Sequence, residues 1–327
     1  MDFRTELAVQ PSPWKFGLKD SFLTLGSCFA QSMGHLLIEN KFQSMVNPFG
    51  TTYHPFAIHK LLRYASFHGY PTEHTYLVNR GIHYNYDFHS SLADRSKAGL
   101  QKQIEEHIGA AHLHMKQCRV VLLTYGTAWL YQRTDTDEAV ANCHKMPVVN
   151  FNRRLASVEE IVQSFDSAYN STESNNPNIG FILTVSPVSH VNDTLALNSV
   201  SKAALRLACH QLSEKYKQVH YFPAFEILMD DLRDYRFYES DLIHPTGSAV
   251  EYIWQKFISC YCDQESLQII KQWNDIQKAM AHKPFQPESD SHRKFLSDTL
   301  KKLEDLQPHL NVQSEINQLK SQLGAGA

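Results

Sequence analysis

The sequence predicts an α/β fold built on a mostly parallel, five-stranded sheet. Five short apolar runs, at 21–26, 42–46, 119–124, 180–185 and 219–222, alternate with amphipathic helical patterns. The strongest run, Arg119-Val120-Val121-Leu122-Leu123-Thr124, is apolar on both faces, which suits a central parallel strand covered by helices above and below. Chain-breaking residues then gather at the strand ends: Gly26, Gly50, Gly126 and Pro187. Ligands of such sheets bind beyond the carboxyl ends of the strands, so these breaks should converge on one crevice.

Taken in order, residues 1–20 form an irregular lead-in broken by Pro11 and Pro13. The first strand breaks at Gly26 and feeds at once into a helix that presents Phe29, Met33, Leu36 and Leu37 on one side. The second strand ends in Asn47-Pro48-Phe49-Gly50, turn chemistry in which Gly50 can take a positive φ. A helix starting near Pro55 buries Ile58, Leu61 and Leu62. Residues 76–91 read as aromatic and irregular, and 97–117 as a helix with Leu100, Ile104, Ile108, Ala111 and Met115 on one stripe. After the central strand, 129–155 read as a hairpin excursion, 157–169 as a helix and 170–178 as a polar loop. A helix at about 198–217 precedes the fifth strand, and the last core helix, roughly 247–261, turns Val250, Ile253, Trp254 and Phe257 inward.

Beyond about residue 264 the pattern changes. Leu296, Leu300, Leu303 and Leu306, then Val312, Ile316, Leu319 and Leu323, recur three and four apart in a charged background, with Pro308 between them. The division expected is an α/β domain over 1–263 and a helical extension over 264–327. The extension should pack against the domain or pair with another copy.

The 327 residues are 43% hydrophobic and 20% charged, with a net charge of -3. That balance gives no reason to expect nucleic acid or an anionic membrane as partner. Six cysteines occur without a C-x-x-C pair, and the 18 histidines are scattered, without metal-ligand spacing. The start lacks a basic segment followed by an apolar one, and no window reaches about 18 apolar residues. The expectation is a reduced, soluble, cytoplasmic protein without metal or cofactor.

Two pairs carry chemistry. Ser27 and Cys28 follow a strand and open a helix, where unpaired backbone N–H groups and the positive dipole end favour developing negative charge. An acyl-transfer enzyme would place its nucleophile there; the structural alternative is Ser27 as N-cap and Cys28 buried and inert. Asp241 and His244, three apart ahead of Pro245, suit a carboxylate that orients an imidazole and stabilises its cation. His89 follows Asp87 in an aromatic loop and either contacts substrate, donates to an oxyanion or packs. Tyr84, Tyr86 and Trp129 either line a sugar-binding cleft or fill core, and Cys143-His144 reads as a packed loop.

Gly26-Ser27-Cys28-Phe29-Ala30 resembles the signature of the GSCFA family, a group that looks like a branch of the SGNH (GDSL-type) hydrolases. The resemblance covers roughly residues 3–262. It includes, in order, Asn47-Pro48-Phe49-Gly50-Thr51, Asp87-Phe88-His89-Ser90, Gly126-Thr127-Ala128-Trp129, Asn142-Cys143-His144-Lys145, Ser186-Pro187-Val188 and Asp241-Leu242-Ile243-His244-Pro245. It implies a three-layer α/β/α sandwich that cleaves esters, often acetyl or acyl groups on carbohydrates and lipids. In that superfamily the serine of Gly-Asp-Ser attacks and a D-x-x-H pair is the base. The oxyanion hole there combines the nucleophile's N–H with a second-block Gly and a third-block Asn.

Carried over by position, Asp241 and His244 match the base pair and Gly50 the second-block glycine. Cys28, not Ser27, falls at the nucleophile, where a helix N-terminus and an imidazole would both lower a thiol pKa. The third block reads Gly126-Thr127-Ala128, so Thr127, or Asn47 from the second block, would have to replace the missing asparagine; losing one donor costs about 100- to 1000-fold. The activity implied is ester hydrolysis or acyl transfer on a small-molecule or glycan ester. The alternative is a catalytically silent binding module of the same fold.

Overall fold

The computed structural model describes residues 4–324. Five parallel strands form the central sheet: β1 (Ser21–Gly26), β2 (Gln43–Val46), β5 (Val120–Tyr125), β9 (Gly180–Val185) and β10 (Val219–Tyr221). Their spatial order is β10-β9-β5-β1-β2. Sequence neighbours are therefore space neighbours except at β1, which lies between β2 and β5. This is the point where the winding reverses, and the crevice of an open α/β sheet opens there.

Each strand alternates its side chains between two cores, as a period of two requires. Leu23, Leu25, Val121, Leu123, Phe181 and Leu183 face one side, where they meet α2 (Pro55–Phe67), α3 (Lys97–Met115), α4 (Val158–Asn175) and α5 (Leu195–Lys215). Phe22, Val120, Leu122 and Ile182 face the other, against α1 (Cys28–Glu39) and α7 (Gly247–Tyr261). The lead-in packs on this second face, where Phe16 is buried and bridges to Cys262. The result is a three-layer sandwich.

Three segments differ from the sequence reading. Residues 76–91 are not irregular: β3 (Tyr76–Asn79) and β4 (Ile82–Asn85) form an antiparallel hairpin. Its two-residue turn, Arg80-Gly81, has positive φ at both positions (52° and 77°), the geometry that matches strand twist. Instead of a hairpin, 129–155 contains a three-stranded sheet, β7 (Ala139–Val140), β6 (Trp129–Arg133) and β8 (Phe151–Leu155), in the order β7-β6-β8. The polar loop expected after 169 is mostly helix, because α4 runs on to Asn175. Its serines and threonine bond carbonyls four residues back, Ser171 Oγ to Ser167 O (2.7 Å) and Thr172 Oγ1 to Ala168 O (2.8 Å), so they satisfy themselves without leaving the helix.

After β10 come one turn of helix, α6 (Ala224–Glu226), and α7. The extension is α8 (Gln264–Ala281), α9 (Asp290–Leu306) and α10 (Gln313–Gly324). It has its own core, in which Trp273 and Ile276 of α8 meet Leu296, Leu303, Leu306, Val312, Ile316 and Leu319. Ile270, one turn earlier on α8, belongs to the α/β core instead. Among the described residues no helix is long and apolar enough to cross a membrane.

Candidate active site

The strand-to-helix turn after β1 is fixed by its neighbours. Gly26 sits at φ 142°, and a Cβ there would lie 2.2 Å from Thr124 O on β5. Only glycine fits that approach. Its N–H donates to Asn47 Oδ1 (3.0 Å), and its carbonyl accepts the Thr52 N–H (2.9 Å). Ser27 then takes the N-cap position of α1, with its N–H on Thr124 O (3.2 Å). Its side chain makes no cap bond. The hydroxyl is buried and has no partner among the described residues.

Cys28 is the first residue of α1 and is half-buried. Burial pushes its thiol up from the ordinary value, while the N–H groups of Phe29 and Cys28, then the charge of Lys202, pull it down. The net shift is upward. This corrects the expectation of a lowered thiol: desolvation of the anion outweighs the helix N-terminus here.

Asn47 lies in the turn after β2 at φ 39°. Because Oδ1 must face the Gly26 N–H, the Nδ2 group is turned the other way. Nδ2 is buried and has no partner among the described residues, which makes it a donor held ready for an acceptor. Asn47 lines a cleft of about 320 Å³ with Gln31, His35, Gly50, Thr51 and His89.

Gly50 in this cleft acts by shape. Its φ is 78°, and a Cβ would fall 2.4 Å from His89 Cβ, but its N–H is already engaged by Asn47 O at 2.8 Å. The oxyanion role expected of that N–H is therefore corrected. Thr127 is also engaged: its N–H donates to Tyr53 O (3.1 Å), and its hydroxyl meets Ser201 Oγ (3.1 Å) and accepts the Trp129 N–H (3.1 Å). Of the two substitutes for the missing asparagine, Asn47 has the free donor.

Asp241 and His244 occupy the loop before α7. Asp241 Oδ2 meets His244 Nδ1 at 2.7 Å, and Oδ1 accepts the N–H groups of Ile243 (2.9 Å) and His244 (3.0 Å). A carboxylate only accepts, so Nδ1 carries the proton and Nε2 is left as the acceptor. The His244 N–H first, then the imidazole and the Ile243 N–H, hold the Asp241 carboxyl down at about 2. Both side chains are about half exposed. Among the described residues no hydrogen bond joins His244 to Cys28 or Ser27.

A second cleft, about 270 Å³, opens between the sandwich and the inserted three-stranded sheet. Tyr53, Thr127, Trp129, Arg153, His190 and Asp193 are among its walls. The Arg153 guanidinium lies 4.4 Å from the Trp129 ring centroid and pairs with Asp193. His190 meets the Tyr53 ring edge-on at 5.5 Å. Burial, then the charges of Lys202 and His244, lower its pKa to about 4. Trp129 and His89 therefore each line a cleft, whereas Tyr86 does not. Tyr86 is 7% exposed, packed against Val140 and Phe151 with Arg133 over its ring, and belongs to core. His144 is likewise buried, stacked on Tyr84 at 4.8 Å and bonded to Asn85 O.

Sequence reasoning passed over Lys202 and His190. Lys202 is 2% exposed and donates to Gly126 O and Ser186 O, each at 2.7 Å. A lysine on the inward stripe of α5, in step with Asn198, Leu205, Cys209 and Leu212, was the available signal. His190 lies three residues after Pro187, in the loop that follows β9, and only the strand-end rule would have marked it. Among the described residues no three His, Cys, Asp or Glu side chains come together as a metal site.

Fold and site together define a doubly wound α/β protein with a thiol at the turn after its first strand, an unpartnered amide donor in the turn after its second, and a carboxylate-bound imidazole in the loop before α7. The family model described as "GSCFA family" matches residues 21–257, and one described as "GSCFA domain protein, C-terminal domain" matches 273–325. The chain belongs to the GSCFA family. No curated protein matches it. Among solved structures it is similar to one titled as a putative platelet activating factor from Streptococcus pneumonia, at 12% identity and a TM-score of 0.39 over 73% of this chain and 82% of that one. It is also similar to a carbohydrate esterase family 3 from Talaromyces cellulolyticus, at 8% identity and a TM-score of 0.35 over 78% and 99%.

Proposed function

We propose that the protein is an ester hydrolase or acyltransferase acting on small acyl or acetyl groups, carried by a carbohydrate or another polar molecule, with Cys28 as the nucleophile. The Cys28 sulfur attacks the ester carbonyl, and its proton passes to His244 Nε2, directly or through one water, as the loop closes on substrate. The carbonyl oxygen becomes an oxyanion that accepts from the Cys28 N–H and from Asn47 Nδ2. Collapse of the tetrahedral adduct breaks the bond to the alcohol oxygen, which takes the proton from the imidazolium. The thioester left on Cys28 is discharged by water or by a second acceptor. Asp241 holds the imidazole tautomer and stabilises its cation throughout.

The observation that supports this reading most is the buried, unpartnered Asn47 amide, pinned by Gly26 two residues before the thiol. Turnover of p-nitrophenyl acetate tests it, with mass spectrometry for an acyl group on the peptide containing Cys28. Cys28→Ala is expected to lose about 1000-fold or more and to carry no acyl group, while Ser27→Ala stays within tenfold of the parent. The reverse pattern would move the nucleophile to Ser27.

A second reading, a silent binding module, is favoured by one observation: His244 makes no hydrogen bond to the thiol, which burial holds in its neutral form. No turnover and no acyl label on a folded chain would select it.

A further inference from the structure

The second cleft is walled by one face of the inserted sheet. Tyr131 pairs with Arg153 across β6 and β8 and with Val140 of β7, and Trp129 lies two residues before Tyr131, so these four share that face. All four line the cleft. Arg153 is held from two sides: its guanidinium lies 4.4 Å from the Trp129 ring centroid, and Nη2 donates to Asp193. Among the described residues Arg153 makes no other hydrogen bond, so most of its N–H donors are free in a rigid fork. The Tyr53 and Tyr131 rings, 37% and 39% exposed, leave apolar surface beside it. Asn142 Oδ1 accepts the His144 N–H (2.8 Å), which leaves Nδ2 as a further donor.

Charge selects among the ligands such walls can take. Among the described lining residues, Arg153 and Asp193 are the charged ones and they cancel, while burial keeps His190 neutral. A phosphate or carboxylate entering here would meet the Asp193 carboxylate beside the guanidinium. A hydroxyl meets no such penalty, because it can accept from the one and donate to the other. At about 270 Å³ the cleft lies just under the roughly 300–1,000 Å³ of drug-sized sites, room for one ring.

Position ties this cleft to the thiol. Gly50 and Thr51 line the cleft that holds Asn47, whereas Tyr53 and His54 line this one. Thr52, between them, donates its N–H to Gly26 O (2.9 Å), two residues before Cys28, and Tyr53 O accepts the Gly126 N–H (2.7 Å). The turn that carries Cys28 is therefore fastened to the short segment that separates the two clefts.

We propose that this cleft is the carrier subsite: it binds one uncharged, hydroxyl-bearing ring, a single unit of an acylated saccharide. Arg153 and Asp193 read neighbouring hydroxyls, Tyr131 takes a C–H face of the ring, and the acyl group lies toward Asn47. The role as carrier subsite rests on the chemistry proposed for Cys28; the binding of the ring does not. Arg153, Asp193 and Tyr131 are then the residues that set specificity.

Saturation-transfer NMR on the full chain reads binding without chemistry. The probes are the methyl glycosides of glucose, galactose, mannose and xylose, set against glucuronic acid and glucose 6-phosphate. At least one glycoside should bind with a Kd of about 1 mM, and both anions about tenfold more weakly or worse. Arg153→Gln and Tyr131→Ala should each weaken that glycoside about tenfold. Asp193→Asn leaves the guanidinium charge unpaired and should tighten the anions about tenfold, whereas merely loosened packing would weaken every probe. If Arg153→Gln does not fold, Tyr131→Ala, at an exposed ring, and Asp193→Asn carry the contrast.

A folded parent that binds none of the four glycosides, or binds the anions more tightly, overturns the proposal. A chain that binds the ring but turns over no ester would refute the enzymatic reading and leave the ring site standing. Turnover through Cys28 without glycoside binding would do the reverse.

Discussion

Asn47 does two things with one amide: Oδ1 holds the Gly26 N–H and Nδ2 is left as a donor. Asn47→Asp separates them, because a carboxylate still accepts from Gly26 but cannot donate. We expect kcat to fall about 100- to 1000-fold, with the melting temperature close to the parent's; Asn47→Ala should lose both. Unchanged kcat in a folded Asn47→Asp chain would remove the amide from the oxyanion hole. The base pair permits a second test. The folded pKa of Asp241, about 2, lies below its unfolded value of about 3.9. The loop stabilisation it gives is therefore complete above about pH 4 and is lost as pH falls through about 2. Any loss of activity between pH 7 and 4 must come from a group other than Asp241, and Asp241→Asn should lower kcat across the whole range. Cys28, Asn47, Asp241 and His244 were legible in the sequence because each sits in a short local pattern. Lys202 was not, because its role comes from two carbonyls 76 and 16 residues away.

At the scale of elements, regular strands and amphipathic helices could be read from their periods, and so could the ends of α7 and the positive φ of Gly50. The hairpin at 76–85 and the inserted sheet were harder. Their strands are two to five residues long, too short for a period of two to stand out, and of their aromatics only Phe151 is buried while Tyr131 is exposed. Four histidines were also illegible as a group. Burial lowers His54, His144 and His190 to about 4 and His59 to about 3, and His59 is held between Tyr125 OH (2.7 Å) and Ser164 Oγ (2.9 Å). Each is neutral when folded and protonates more readily when unfolded. The stability this gives is complete above about pH 6.5 and is lost as pH falls toward 4, by about 1.4 kcal/mol per unit for each group. Melting temperatures measured from pH 7 to 4.5 should fall steadily, and His144→Gln should flatten the slope. A melting temperature independent of pH over that range would contradict these assignments.

For the whole molecule, the boundary expected at residue 264 coincides with the start of α8, yet α8 belongs to both parts. Leu267 and Ile270 pack into the α/β core, while Trp273 and Ile276 pack with α9 and α10. Trp273 also donates from Nε1 to Glu39 O at the end of α1 (2.7 Å), and Lys41 lies over its ring while pairing with Glu315 of α10 (2.6 Å). The extension is thus fastened to the end of α1 opposite Cys28. Leu303, fully buried, sits in the extension's own core. Leu303→Ala should cost about 2–5 kcal/mol, and because that core is separate, the loss should fall on α9 and α10 first. Hydrogen exchange is expected to accelerate at 290–324 while β1, β5 and β9 keep their protection, and the Cys28 alkylation rate should stay within twofold of the parent. Equal acceleration in the central strands would show that sandwich and extension unfold as one unit, with α8 transmitting the damage.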